Sequence, residues 1–181
     1  MASNDVNLGI GAATGMFFTA AANSDLPQSI ADISTATWTE VGGISADGIT
    51  YAMNIGDTLR NWAKQSVRRL PGDQGGTVTA PIIDTTEETL RLLFGDDVST
   101  VAASTAHGEI VSVDIGPDTT SSPAAFLFVM KDGDDAMLLG TKNGMVTNIG
   151  DVAFNGTAIT WEATIEAGEW TFSKDNGQKT T

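Results

Sequence analysis

The chain has no cysteine among its 181 residues, which removes disulfide frameworks, thiolate nucleophiles and cysteine-ligated zinc. There is one histidine, His107, in a run of Ser, Thr, Ala and Gly. No Gly-x-Ser-x-Gly segment presents a serine to it for a Ser-His-Asp relay, and a loop histidine is the expectation. Basic residues are scarce: nine Lys and Arg stand against 23 Asp and Glu, for a formal net charge of -14. Affinity for nucleic-acid phosphates comes from Lys and Arg displacing counterions, so this balance argues against a phosphate-gripping surface. The same charge keeps a concentrated protein soluble and repels a polyanion moving past it. Long apolar runs are also missing. The longest strongly apolar run, 124–130, is far short of the roughly 20 residues a membrane-crossing helix needs. No basic cluster precedes an apolar stretch at the start, so no secretory signal is expected. A β-barrel pore, whose strands leave only a weak signal, therefore has no export signal to support it.

What is present points to β-structure. With 41% hydrophobic residues and five prolines, a chain of this length holds one sizeable core, and a single domain over 1–181 is expected. Asp47-Gly48, Asp132-Gly133, Asn143-Gly144 and Asn155-Gly156 each suit a two-residue hairpin loop, because Asn, Asp and Gly accept positive φ. Four such signals predict an antiparallel meander. Strands are predicted over 77–83, 109–115, 124–131, 136–141, 145–154, 158–167 and 169–173. In 158–167, Ile159, Trp161, Ala163 and Ile165 alternate with Thr160, Glu162, Thr164 and Glu166, as in a strand with one buried and one wet face. By contrast, 124–130 is apolar throughout, as in a strand covered on both faces or one whose second face an oligomer buries.

One helix is predicted, over 86–94. Thr85 and Glu88 fit a capping box, Glu87 and Glu88 suit the positive end of the helix dipole, and Gly95 closes it. Leu90, Leu93 and Phe94 share the face that packs on the sheet. Residues 23–37 read as a loop with at most a short helix, 117–123 as a second loop, 1–14 as an N-terminal arm and 174–181 as a flexible tail. A basic island interrupts the acidic chain. Arg60, Lys64, Arg68 and Arg69 supply four of its nine basic residues, and no acid falls between Arg60 and Leu70. Interleaved with Trp62, Val67 and Leu70, these residues resemble an interface anchor whose natural partner is acidic. A solvated loop is the plainer alternative.

Sites of chemistry are thin. The glycines at 9, 11 and 15 miss the dinucleotide-binding spacing and lack a preceding strand. Counted from Asp132, a calcium loop would need Gly at 137 and Glu at 143, where Met and Asn stand. Glu162 and Glu166 share a strand face but lie about 13 Å apart, beyond the roughly 5–9.5 Å of a glycosidase pair. No cofactor, metal or catalytic residue is expected, and a row of Thr and Glu reads more simply as a hydrophilic, negative wall.

The order of features carries more information than any one of them. A Trp-x-x-Val-Gly segment, Trp38 to Gly42, leads into Gly48-Ile49-Thr50. The basic loop follows, then Thr85-Thr86-Glu87-Glu88-Thr89-Leu90 ending in Phe94-Gly95, then a run of strands. This arrangement resembles the major tail tube proteins of long-tailed phages with non-contractile tails, over roughly 15–172. The resemblance implies a mainly-β, non-enzymatic virion protein, an antiparallel sandwich or partial barrel with one packed α-helix. Its subunits would form hexameric rings that stack into a hollow tube, assembled in the host cytoplasm, alongside a tape-measure protein and a tail terminator. DNA would pass through the lumen without specific binding. A loop at 60–76 would reach from ring to ring, with Arg60, Trp62, Lys64, Arg68 and Arg69 as the stacking interface. Glu162 and Glu166 would belong to the lumen wall. A capsid-decorating or carbohydrate-binding β-sandwich remains the alternative; it would show an exposed aromatic patch, with Trp38, Trp62 and Trp170 as candidates.

Overall fold

The computed structural model describes residues 15–54, 58–60, 66–69, 75–95, 98–115, 121–132, 135–150, 152 and 159–175. Its elements in chain order are β1 (Gly15–Ala21), a 3-10 turn (Ile30–Asp32), β2 (Thr39–Ile44), β3 (Thr50–Asn54), β4 (Thr58–Arg60), β5 (Ser66–Arg69) and β6 (Gly75–Ile82). Then come α1 (Glu87–Phe94), β7 (Val98–Val101), β8 (Ile110–Val113), β9 (Ala124–Asp132), β10 (Asp135–Ile149), β11 (Trp161–Ala167) and β12 (Thr171–Asp175). The described residues are mainly β with one α-helix, as alternation and the capping signals predict.

Eight strands form one sheet that curls on itself. Its order is β11-β10-β9-β1-β2-β6-β3, with β12 on β10, and β6 pairs back onto β11. A single Ile44–Ile82 pairing joins β2 to β6 and closes the circuit into a partial barrel. Fifteen-residue β10 is the shared member. One edge pairs with β9 from Asp135 to Thr141 and at Gly144; the opposite edge takes β12 along its first half and β11 along its second. β11 and β12 thus lie end to end, separated by Gly168, Glu169 and Trp170.

Two apolar clusters fill the structure. Phe17, Val78, Ala80, Ile82, Phe126, Phe128, Ala163 and Ile165 form the barrel interior with the buried face of α1. On the other side of β9, Ala125, Leu127 and Val129 pack with Phe18, Ile33, Trp38 and Leu138. The connection at 22–38 covers that second face, so the chain itself accounts for the unbroken apolar run. Each large side chain removed from water in these clusters stabilises the fold by about 1.5–3 kcal/mol.

Three local expectations are corrected. Thr86, not Thr85, caps α1: its hydroxyl accepts from the Thr89 N–H at 3.1 Å, while Thr85 accepts from the Trp161 indole N–H at 2.9 Å. The Asp47-Gly48 turn exists, with Gly48 at φ 72, but it joins β2 and β3, which pair with β6 instead of each other. Asn143-Gly144 is no turn, because β10 runs straight through it. β9 and β10 pair from Asp132 and Asp135 onward, and Gly133 of the Asp132-Gly133 signal lies outside the described residues. Asn155-Gly156 and the arm at 1–14 lie outside the described residues.

Candidate assembly surface

The second half of β10 with β11, β6 and β3 makes a four-stranded layer whose inner face is core. Register pairs place residues side by side on its outer face. Glu162 stands opposite Pro81, Thr164 opposite Thr79 and Glu166 opposite Thr77. Thr79 and Thr77 continue to Thr50 and Ala52 on β3, and Glu166 and Thr164 to Met145 and Asn148 on β10. Glu162 and Glu166 are exposed, as are Thr50 and Ala52. That face carries threonines and the carboxylates of Glu162 and Glu166, with no Lys or Arg among the residues these pairings place on it.

Among the described residues, both ends of this layer lack a strand partner. No described strand pairs with the outer edge of β3, nor with the β9-side edge of β10 beyond Gly144, where the Ser121 hydroxyl donates to the Val146 carbonyl at 2.9 Å. Among the described residues, the outer edge of β12 is likewise without a strand partner. Unpaired backbone groups along a strand edge are a template for another chain. The neighbouring edge of β2 is closed differently. Thr89 donates to the Val41 carbonyl at 3.0 Å, and Asp84 accepts from the Gly43 N–H at 2.6 Å.

β3 leads into β4, and β5 returns through residues 70–74 to β6. β4 and β5 pair antiparallel, Thr58 with Arg69 and Leu59 with Arg68. Arg60, Arg68 and Arg69 thus sit on a two-stranded ribbon of their own; Trp62 and Lys64 lie outside the described residues. The rival aromatic-patch reading loses Trp38, which is buried in the second cluster.

Sequence reasoning missed large apolar side chains left exposed on β3 and on β12. Tyr51 and Met53, on the inner face of β3, are 39% and 63% exposed, and Phe172 on β12 is 62% exposed. Trp170 packs against Tyr51. Its ring centroid lies 6.2 Å from that of Tyr51 and 6.3 Å from that of Phe128, and its indole N–H donates to the Gly76 carbonyl at 2.8 Å. The alternation Thr50-Tyr51-Ala52-Met53-Asn54 is the signal that could have revealed the strand; its exposure depends on where the sheet ends.

Little here resembles a reaction centre. His107 is in an exposed loop, its Nδ1 2.6 Å from the Gly108 carbonyl oxygen. No group of three or more His, Cys, Asp or Glu among the described residues could hold a metal ion. A groove of about 520 Å³ between the loop carrying Asn23 and the β11–β12 junction is lined by residues such as Thr141, Asn143 and Glu169. It contains no histidine, and the Lys142–Asp25 ion pair lies beside it at 2.6 Å. No described helix is long and apolar enough to cross a membrane.

A family model described as "Phage tail tube protein" matches residues 1–160. No curated protein matches the chain.

Proposed function

The chain belongs to the phage tail tube protein family, a structural component of the virion tail, and from that premise we propose that it builds the tube by self-assembly into stacked hexameric rings. The observation that carries this reading is the four-stranded layer with a Thr- and Glu-lined outer face and an open strand edge on each side. Edge pairing between the β3 of one copy and the second half of β10 in the next would satisfy both rows of backbone groups. It would also turn the aggregation hazard of an open sheet into a rule of assembly. Rotation closes such a heterologous contact into a ring, and a second, axial contact propagates the tube. With the Thr and Glu face turned inward, Glu162 and Glu166 line a lumen that repels DNA phosphates, so DNA passes without specific binding. The ribbon bearing Arg60, Arg68 and Arg69, together with Trp62 and Lys64, joins one ring to the acidic surface of the next. A tape-measure protein and a tail terminator set tube length, and assembly takes place in the host cytoplasm.

Sedimentation velocity over a concentration series tests self-association directly. A discrete ring species, giving way to much larger particles at high concentration, is the expected result. A chain that sediments as a monomer throughout overturns the reading.

A further inference from the structure

The four-stranded layer is electrically uneven along β6, which runs from Gly75 to Ile82. Gly75 pairs with Asn54, so both chain connections to the β4–β5 ribbon leave from that end. The step from Asn54 to Thr58 is a tether of at most about 14 Å, too short to carry Thr58 to the far end of β6, about 23 Å away. The ribbon held there carries Arg60, Arg68 and Arg69, and no Asp or Glu falls between Thr58 and Arg69. At the Ile82 end the signs reverse. Asp84 accepts from the Gly43 N–H beside the Ile44–Ile82 pair. The Thr86 and Thr89 hydroxyls donate to the Val41 carbonyl and so bring Glu87 and Glu88, in the first turn of α1, to the same end. Asp47 stands exposed in the turn that leads into β3. The base on α1, Arg91, is engaged with Glu87 at 2.8 Å.

We infer that this polarity makes the two ends of a finished tube chemically different, and that the ribbon end is a docking surface for a different, acidic protein. The inference rests on the stacked-ring reading. Within a tube each ribbon meets the acid-rich end of the next ring, and only in the terminal ring do ribbons stay free. Charge complementarity decides the occupant: the free arginines stand out from a chain whose net charge is -14, and they attract carboxylates where the rest of the surface repels them. A protein that stops growth at this end supplies the carboxylates a further ring would supply, and carries no basic ribbon on its far side. The opposite end of the tube, rich in Asp and Glu, rejects the same protein, because like charges brought together oppose docking.

Gold-labelled polyglutamate, added to tubes of the full chain and viewed by electron microscopy, is the probe. The inference expects gold at one end of each tube, released as salt is raised. A second measurement adds the chain with Arg68→Glu and Arg69→Glu to the tubes first. That variant keeps the acid-rich end and has lost the ribbon's positive charge, so it covers the same end and is expected to cut gold labelling at least about tenfold. Gold at both ends, along the walls or nowhere overturns the inference while leaving the stacked rings intact. Labelling that the variant does not reduce also overturns it, because the probe is then held by something other than the ribbon. A chain that forms no tubes removes the stacked-ring reading and this inference with it.

Discussion

At the scale of single residues, backbone proximity decides more than side-chain identity. A Cβ on Gly75 would stand 2.6 Å from the Ala167 carbonyl oxygen, a backbone atom held by the β6–β11 pairing. Gly75→Ala is expected to destabilise the fold by about 1–3 kcal/mol, the range for forced overpacking; an unchanged urea midpoint would show that the strands yield. Glu87 on α1 makes a second case. Its carboxylate accepts from the Thr100 hydroxyl at 2.6 Å and from Arg91 at 2.9 Å. The Thr100 hydrogen bond first, then Arg91, holds its carboxyl below the ordinary glutamate range. A lowered folded value means that the stabilisation is complete above the unfolded value and is lost as pH falls through the folded one. Glu87→Gln is therefore expected to lower the urea midpoint at neutral pH and to converge with the parent in acid; a gap that persists in acid contradicts this. The helix cap shows how far such detail was legible. Two adjacent threonines both fit a cap by sequence, and the choice between them follows from the Trp161 indole bonding to Thr85 across 76 positions, a contact no local pattern encodes.

Among the elements, a turn dipeptide marked a loop at Asp47-Gly48 but not at Asn143-Gly144, and neither revealed which strands pair. Gly144 looks like a hairpin glycine, yet a Cβ there would meet the Phe126 ring at 2.9 Å. It is glycine because β9 packs against it, and β10 continues unbroken. The continuous apolar run in β9 announced a strand whose two faces are both buried, by the chain or by an oligomer, and the structure shows the chain covering both. What covers the second face, the connection at 22–38 with Ile33 and Trp38, has no periodicity to betray it. The β4–β5 ribbon appeared in the sequence only as a basic island, since charge is visible in a string of letters and strand pairing is not. Its proposed axial role gives a direct prediction. Charge reversal at Arg68 and Arg69 is expected to leave single rings but shorten or abolish tubes in electron micrographs, because an acidic neighbour then repels the ribbon. Tubes of parental length would remove the ribbon from the stacking contact.

For the whole molecule, the distribution of charge matters more than its sum. Outside the ribbon the chain is heavily acidic, and the four-stranded layer presents Glu162 and Glu166 among threonines with no compensating base. The alternation of 158–167 made this face legible in advance, because a period of two forces the two glutamates onto one side of a strand. The open edges were not legible. They depend on which strands the sheet leaves unpaired after all others have found partners, a property of the complete topology. If the face lines a lumen, Glu162→Lys with Glu166→Lys is expected to preserve tubes but make them retain short duplex DNA in a salt-sensitive way. Variant tubes that bind no more DNA than the parent would move the two glutamates out of the channel.

Negative-stain electron microscopy of the purified, concentrated chain addresses self-assembly most directly. Six-fold rings stacked into hollow tubes are the predicted image. A field of separate, uniform small particles at every concentration would contradict the account.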